Sequence, residues 1–241
     1  MEEKQRRHIV SSEDGSPTIF SENFNETYHS TSGAVQESSY LFIKNALIAR
    51  TESMSLPNPS EIKILEYGFG TGLNALLTLE ALSEKKLPGK LIIEYTSLEK
   101  YPLSSEEYQS LDYGDKNLFL AMHEAPWSEA NTKNPAFTKI NERFLLRKIN
   151  CDFADFIPEK NYYDVIYFDP FSPDTQPESW NEAIFQKVSD AMSEGAILAT
   201  YSAKGIVKQA LRASGLTVHR IPGTGMKRHN VLAFKNYSPN K

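Results

Sequence analysis

The sequence predicts an α/β fold built on a mostly parallel sheet with helices on both faces. Three observations predict it. From residue 61 onward, short apolar runs alternate with stretches of helical periodicity, the pattern of strand–helix–strand crossovers. Three glycines, Gly68, Gly70 and Gly72, cluster at the first strand-to-helix junction, where open α/β sheets place their ligands. The last two apolar runs are separated by a loop alone, which implies an antiparallel edge on the sheet.

Each element follows in order. Residues 1–60 are expected to form an N-terminal extension, a hairpin and a helix capping the site, and residues 61–241 the main domain. Thr18, Ile19 and Phe20 make a short strand-like run. In QESSYLFIKNALIAR, Tyr40, Ile43, Leu47 and Ile48 fall near one helical face. Pro57 and Pro59 break that helix. IKILEY is the first strand of the main domain and LNALLTLEAL its first helix. LIIEYTSLE is a second strand, and Ser104 followed by acidic residues opens a helix over SSEEYQSLDY. Helical pieces around Leu118–His123 lead into a Pro/Asn-rich loop. RFLLRKIN, YDVIYFD and GAILATYS are strands three to five, with the amphipathic helix SWNEAIFQKVSDAM before the fifth. The helix GIVKQALRAS and the strands LTVHR and NVLAF complete a seven-stranded sheet.

Composition narrows the function. The chain has 241 residues, of which 40% are hydrophobic and 24% charged, ordinary for a soluble globular protein. No apolar run is long enough to span a bilayer, and MEEKQRRHIV lacks the apolar core of a secretory signal, so no membrane partner is expected. A single cysteine, Cys151, excludes an intrachain disulfide and fits a reducing cytoplasm. The five histidines form no close-spaced ligand pair, so no metal site is expected. Residues 1–200 carry 18 Lys and Arg against 31 Asp and Glu, whereas residues 201–241 carry 8 and none. Such a gradient is either an uneven solvated surface or a face that meets an anion such as a nucleic-acid backbone.

The glycine turn reads Glu66-Tyr67-Gly68-Phe69-Gly70-Thr71-Gly72. Glycines let the backbone turn tightly and leave no side chain between it and a ligand. A dinucleotide-binding GxGxxG would need glycine at position 73, where Leu73 stands. Glu66 just before the turn, and Glu99 at the end of the second strand, would repel a pyrophosphate but suit a cationic or hydroxyl-bearing ligand.

EYGFGTG resembles the E/D-x-G-x-G-x-G motif of class I S-adenosylmethionine-dependent methyltransferases. The resemblance implies a Rossmann-like fold and S-adenosylmethionine as cofactor. Gly68, Gly70 and Gly72 would line its methionine and adenosine portions, with Glu66 and Thr71 in the same motif. Glu99 matches the acid that bonds the ribose hydroxyls, and Asp152, with Asp155 as a nearby competitor, the acid near the adenine amino group.

The segment YDVIYFDPFSP delivers Asp169 to a strand end, followed by Pro170 and Phe171. A carboxylate and a proline-held carbonyl can accept the hydrogens of an amine and aim its lone pair at a methyl donor. The aromatic after the proline can stack on a flat base. This resembles the D/N-P-P-Y/F motif of amine methyltransferases, with Phe171 in place of the second proline.

The similarity extends over residues 18–235. GFGTGLN, LEKYPLSSEE, DVIYFDPFSPDTQPESWNEAIF, LATYSAKGIVKQALRASGL and GTGMKRHNVLAF resemble the methyltransferase half of the bifunctional tRNA 5-methylaminomethyl-2-thiouridine biosynthesis proteins (MnmC type). YHSTSGAVQESSYLF resembles the N-terminal part of standalone members. The resemblance implies methylation of the 5-aminomethyl group of a wobble uridine in the tRNA anticodon loop, with Asp169 and Phe171 at the acceptor amine. Asn74 and Lys100 match positions in motifs beside the cofactor, and Glu37 one on the substrate side. The flavin-dependent half is not expected in this chain. The aminomethyl form would then come from other enzymes, for instance a separate flavin-dependent oxidase partner.

For the tRNA itself, Lys204, Lys208 and Arg212 recur on one helical face, and Lys227, Arg228 and His229 follow Gly223 and Gly225 in the last loop. Lys227 and Arg228 are the substrate candidates there. Trp127 is a possible stacking platform for a base, whereas Trp180, His29, His123 and Cys151 read as structural. Two alternatives stay open: a methyltransferase for another amine, and a non-catalytic RNA-binding module on the same fold.

Overall fold

β4 (Glu61–Tyr67) is the strand around which the sheet is built, because its last four residues are buried on both faces. It pairs in parallel with β5 (Ile92–Glu99) on one side and β9 (Tyr163–Phe168) on the other. The computed structural model describes residues 5–54, 60–84, 86–133, 135–225 and 228–236. Outward from β5 come β8 (Phe144–Asn150) and the parallel β6 (Trp127–Glu129), while β7 (Thr138–Asn141) pairs antiparallel with the first half of β8. Outward from β9 come β10 (Met192–Thr200), β12 (His229–Phe234) and β11 (Thr217–Pro222).

All seven predicted strands are present, and the sheet has nine. The two additions, β6 and β7, lie in the region read as a Pro/Asn-rich loop. They are three and four residues long, too short to show period-two alternation. The strand that opposes its neighbours is β12, second from the edge, and β11 closes that edge.

The helix predicted over QESSYLFIKNALIAR is longer than expected. It runs without a break through α1 (Ala34–Ser38), a π-helical stretch Ser39–Ile48, and α2 (Ala49–Ser53). Asn45 Nδ2 donates to the Tyr40 carbonyl at 2.7 Å inside the wider turn. Leu41, Phe42, Ile43, Ala46 and Leu47 are buried against the sheet and against α3 (Leu73–Ser83). This cover explains why α3 has almost no polar face. The opposite face of the sheet carries α6 (Glu182–Ala191) and α7 (Gly205–Ala213), packed through Phe185, Val188, Val207 and Leu211. On the α3 side, α5 (Lys116–Glu124) packs Phe119 and Met122 into the core, and α4 (Ser105–Gln109) begins at a capping box made by Ser104 and Glu107.

Residues 7–27 form a small separate sheet of β1 (Arg7–Ser11), β2 (Pro17–Ser21) and β3 (Glu26–Thr27). Arg7 fixes it to the segment after β5 and to α4: its guanidinium donates to the Tyr101 carbonyl at 2.6 Å and pairs with Glu107 at 3.2 Å. Ile19 and Ala34 join the same buried cluster as Ile64 and Leu76, so this segment shares one continuous core with the sheet. Among the described residues, no helix is long and apolar enough to cross a membrane.

Candidate active site

The parallel strands β4, β5, β8, β9 and β10 deliver their carboxyl ends to one edge of the sheet. The site is built there. At the end of β4 the backbone turns back through Gly68, Gly70 and Gly72, all with positive φ (95°, 53° and 76°). A Cβ on Gly68 would sit 2.8 Å from the Asp169 carbonyl oxygen, so only glycine lets the two strand ends pass this closely. A Cβ on Gly72 would meet His123 Nε2 at 3.0 Å and the Phe69 ring at 3.1 Å.

The turn is held from several directions. Glu99, at the end of β5, accepts from the Gly70 N–H at 3.0 Å and from the Tyr101 N–H at 2.8 Å. His29 Nε2 lies 2.6 Å from Thr71 Oγ1, and His123 Nε2 lies 3.0 Å from the Thr71 carbonyl. Burial lowers the His123 pKa to about 4, so its ring is neutral and can donate to that carbonyl. Behind the turn, Lys148 donates to the His123 carbonyl at 2.7 Å and lies over the rings of Trp127 and Phe69. Trp127 therefore packs against the underside of the turn.

Two adjoining hollows share Asp169, Pro170 and Phe171. The larger, about 360 Å³, is lined by Glu26, Glu37, Asp169, Tyr201 and the run Thr27–Ser32, with Phe42 at its base. The narrower, about 40 Å³, lies between Gly68–Gly70, Glu99–Tyr101 and Phe153. Tyr28 and His29 line both. The hairpin of β2 and β3 reaches over this edge. Phe24 stacks on Phe171 at 4.4 Å, Tyr28 meets the same ring edge-on at 4.9 Å, and the Glu26 carboxylate accepts from the Ser172 N–H at 3.1 Å. Trp180 supports Phe171 from below, donating Nε1 to its carbonyl at 2.8 Å, and Tyr201 donates to the Pro170 carbonyl at 2.9 Å.

Most of the residues selected from sequence meet here, in two layers. Gly68, Gly70, Glu99, Lys100, Asp169, Pro170, Phe171 and Glu37 line the hollows. Glu66, Thr71, Gly72 and Asn74 lie beneath the turn and line neither; Glu66 and Thr71 are fully buried. A side chain that ends a strand facing the helix layer points into the core, which the motif alone does not reveal. Asp152 is engaged by Lys100 at 2.8 Å, outside the narrower hollow, and Phe153 takes the wall position. That ion pair and the Ala154 N–H hold the Asp152 carboxyl below its usual range, against the opposing effect of burial. Arg228 is exposed on the last loop, and Lys227 lies outside the described residues.

His29, Tyr28, Phe24, Glu26 and Tyr201 were missed as site residues. His29 was read as structural because sequence does not show that β3 folds back over strand ends more than forty residues away. The clue was the clustering of Phe24, Glu26, Tyr28 and His29 in a turn-rich segment with no apolar period. Cys151 is a buried thiol pushed up to about 12 by burial and nearby acids, in line with a structural role.

The site can seat a cofactor at the glycine turn. Gly68 and Gly70 bring backbone without a side chain to the narrower hollow, and Glu99, Tyr101 and Phe153 offer a carboxylate and aromatic walls for a ribose and a base. In residue type these groups suit an adenosyl ligand.

Comparison with known proteins follows the same line. Residues 117–236 match a family of S-adenosyl-L-methionine-dependent methyltransferases. The chain is 30% identical over 226 residues to the tRNA 5-methylaminomethyl-2-thiouridine biosynthesis bifunctional protein MnmC of Ectopseudomonas mendocina, covering 90% of this chain and 33% of that protein. It is 31% identical over 218 residues to the protein of the same name from Idiomarina loihiensis, covering 86% and 35%. The chain thus spans about a third of the length of the curated relatives it matches. Among solved structures it is similar to MnmC2 from Aquifex aeolicus, with a TM-score of 0.79 and 26% identity over 99% of this chain and 73% of that one. Spermidine synthase from Thermotoga maritima shares the fold, with a TM-score of 0.61 and 16% identity over 98% and 71% of the two chains.

Proposed function

The chain belongs to the S-adenosyl-L-methionine-dependent methyltransferases, and from that premise we propose that it methylates the 5-aminomethyl group of a (2-thio)uridine at the tRNA wobble position. The observation that carries this reading is the larger cavity. Three acidic side chains, Glu26, Glu37 and Asp169, line it, and among the described residues no Lys or Arg does. A wall of that charge gathers an amine and disfavours a phosphate or carboxylate acceptor. The names of the curated relatives and of the Aquifex protein support the same chemistry.

When bound, S-adenosyl-L-methionine supplies a methyl group on a positively charged sulfur. In this reading Gly68 and Gly70 leave room for it, Glu99 bonds its ribose, and Phe153 flanks its base. Asp169 accepts a hydrogen from the acceptor amine and points the nitrogen lone pair toward the cofactor, so orientation is the main contribution of the protein. Phe171, with Phe24 stacked on one face of its ring and its carbonyl held by Trp180, turns its other face to the uracil.

The wobble base must leave its stack to enter, at a cost of a few kcal/mol. The loop between β11 and β12 touches the cavity rim, where a Cβ on Gly225 would sit 3.1 Å from the Cβ of Ser32. Arg228 on that loop is the cation we propose for backbone phosphates, with Lys208 and Arg212 on α7 as further candidates. Lys204 is engaged by Asp174 and contributes less. A reaction that uncovers the amine must come first, and a flavin-dependent oxidase is the partner we propose for it. We place both steps in the cytoplasm, with their tRNA.

The test is methyl transfer from labelled cofactor to tRNA carrying 5-aminomethyl-2-thiouridine, read as the methylaminomethyl nucleoside by mass spectrometry. Transfer to small amines without transfer to tRNA would replace this reading with the other-amine alternative. Cofactor binding without turnover on any amine would point to a binding module.

A further inference from the structure

Beneath the glycine turn lies a polar cluster that methyl transfer as described above does not use. Glu66, near the end of β4, is 0% exposed. Its Oε2 accepts from Ser97 Oγ at 2.6 Å, and Asn74 and Tyr95 stand beside the carboxyl. Glu66 Oε1, Asn74 Oδ1 and the Tyr95 hydroxyl lie close together but, among the described residues, complete no hydrogen bond of ordinary geometry. Asn74, 2% exposed in the first turn of α3, donates Nδ2 to Asp169 Oδ2 at 2.9 Å. One amide therefore links the buried acid to the acid at the acceptor cavity.

The Tyr95 hydroxyl has one proton and can serve only one of the two acceptors, Glu66 Oε1 and Asn74 Oδ1, so the cluster needs one more. An ionised carboxylate only accepts, so Asn74 must turn its nitrogen toward Asp169, and its oxygen then faces the interior and needs a donor. A proton on Glu66 supplies one. It also removes a second negative charge from beside Asp169. An ionised Glu66 would instead repel both Asp169 and the amide oxygen.

We propose that Glu66 is a positioning residue that acts as a neutral acid: its proton fixes the Asn74 amide, and Asn74 fixes the Asp169 carboxylate toward the acceptor amine. This rests on the role given to Asp169 under Proposed function. Burial supports it, raising the Glu66 pKa to about 8 against the Ser97 hydroxyl, with the Asp169 charge adding to the rise and Tyr95 and Asn74 opposing it. The other groups facing Glu66 are Ser97 and Tyr95 from β5, Tyr167 from β9, and Asn74 and Thr78 from α3. Both tyrosine hydroxyls are held well above their usual range by burial, so they stay neutral while Glu66 titrates.

The experiment compares wild type, Glu66→Gln and Ser97→Ala by kcat at saturating substrates across neutral to alkaline pH, and by infrared spectroscopy of the cofactor-free protein. Wild type shows the carbonyl band of a protonated carboxyl at neutral pH, and Glu66→Gln lacks it. Wild-type kcat falls roughly tenfold once Glu66 ionises. Glu66→Gln keeps the neutral-pH kcat within about threefold and loses the alkaline decline, because an amide cannot ionise. Ser97→Ala removes a donor to the ionised form and moves the decline to higher pH. An alkaline limb unchanged in both variants, or no band that Glu66→Gln removes, overturns the proposal. If Asp169→Ala retains full activity while the band behaves as expected, the role of Asp169 fails and the neutral Glu66 stands, so the two failures are separable.

Discussion

The ring of Phe24 stacks on that of Phe171 with centroids 4.4 Å apart, and this contact ties the hairpin of β2 and β3 to the end of β9. It joins the first folded segment of the chain to the strand end that carries Asp169. The hairpin is thereby a wall of the site, although among the described residues no strand of the main sheet pairs with it.

Phe24→Ala should loosen that wall without unfolding the core. An aromatic pair of this kind contributes about 0.5–1.5 kcal/mol beyond its buried area. The expected outcome is a rise in the tRNA KM of roughly three- to tenfold with a thermal midpoint close to wild type, read by steady-state kinetics and calorimetry.

Asp169→Ala should separate chemistry from cofactor binding. If Asp169 orients the amine as proposed, its loss lowers kcat by roughly a hundredfold. Titration calorimetry with S-adenosyl-L-methionine should give a Kd near that of wild type. Equal losses in both would show that Asp169 serves the cofactor instead.

Gly68→Ala should damage both stability and binding. The residue would be forced to keep a φ of 95° with its methyl group 2.8 Å from the Asp169 carbonyl oxygen. Strain of this type costs about 1–3 kcal/mol before any steric shift is counted. Urea denaturation measures the loss, and cofactor titration shows whether the turn still closes.

Acid should weaken the fold through His123. Burial lowers its folded pKa from 6.5 to about 4, so the unfolded chain binds a proton first. The contribution of the neutral ring is intact above pH 6.5 and is lost as pH falls through the window from 6.5 to 4. The loss is roughly 3 kcal/mol at the bottom of that window. Urea midpoints measured at neutral and mildly acidic pH give the slope, and His123→Phe should flatten it.

Arg228→Glu should weaken tRNA binding and leave cofactor binding unchanged. If Arg228 meets a phosphate as proposed, its loss reduces the salt dependence of tRNA affinity by about one unit of slope. Filter binding over a range of salt concentrations reads this directly. An unchanged slope would take the loop between β11 and β12 off the tRNA path.

The sequence by itself determined the framework. The alternation of apolar runs and helices gave the parallel sheet, because strand burial and crossover packing are written in local hydrophobic pattern. The glycine turn and the DPF segment were legible as well. A left-handed backbone needs glycine, and ligand-binding residues in open α/β sheets gather at strand ends. Glu99, Asp169 and Phe171 could therefore be chosen from order along the chain.

Only the tertiary structure decided which side of the turn each polar residue occupies. Glu66 and Asn74 belong to the same motif as Gly68 yet lie in the core, because β4 turns that side of its last residues toward α3. It also decided that Phe24, Glu26, Tyr28 and His29 wall the cavity. Their contacts join residues more than forty positions apart, as in His29 to Thr71 and Glu26 to Ser172. Such contacts depend on how one surface meets another in space, and no local period or propensity encodes that meeting.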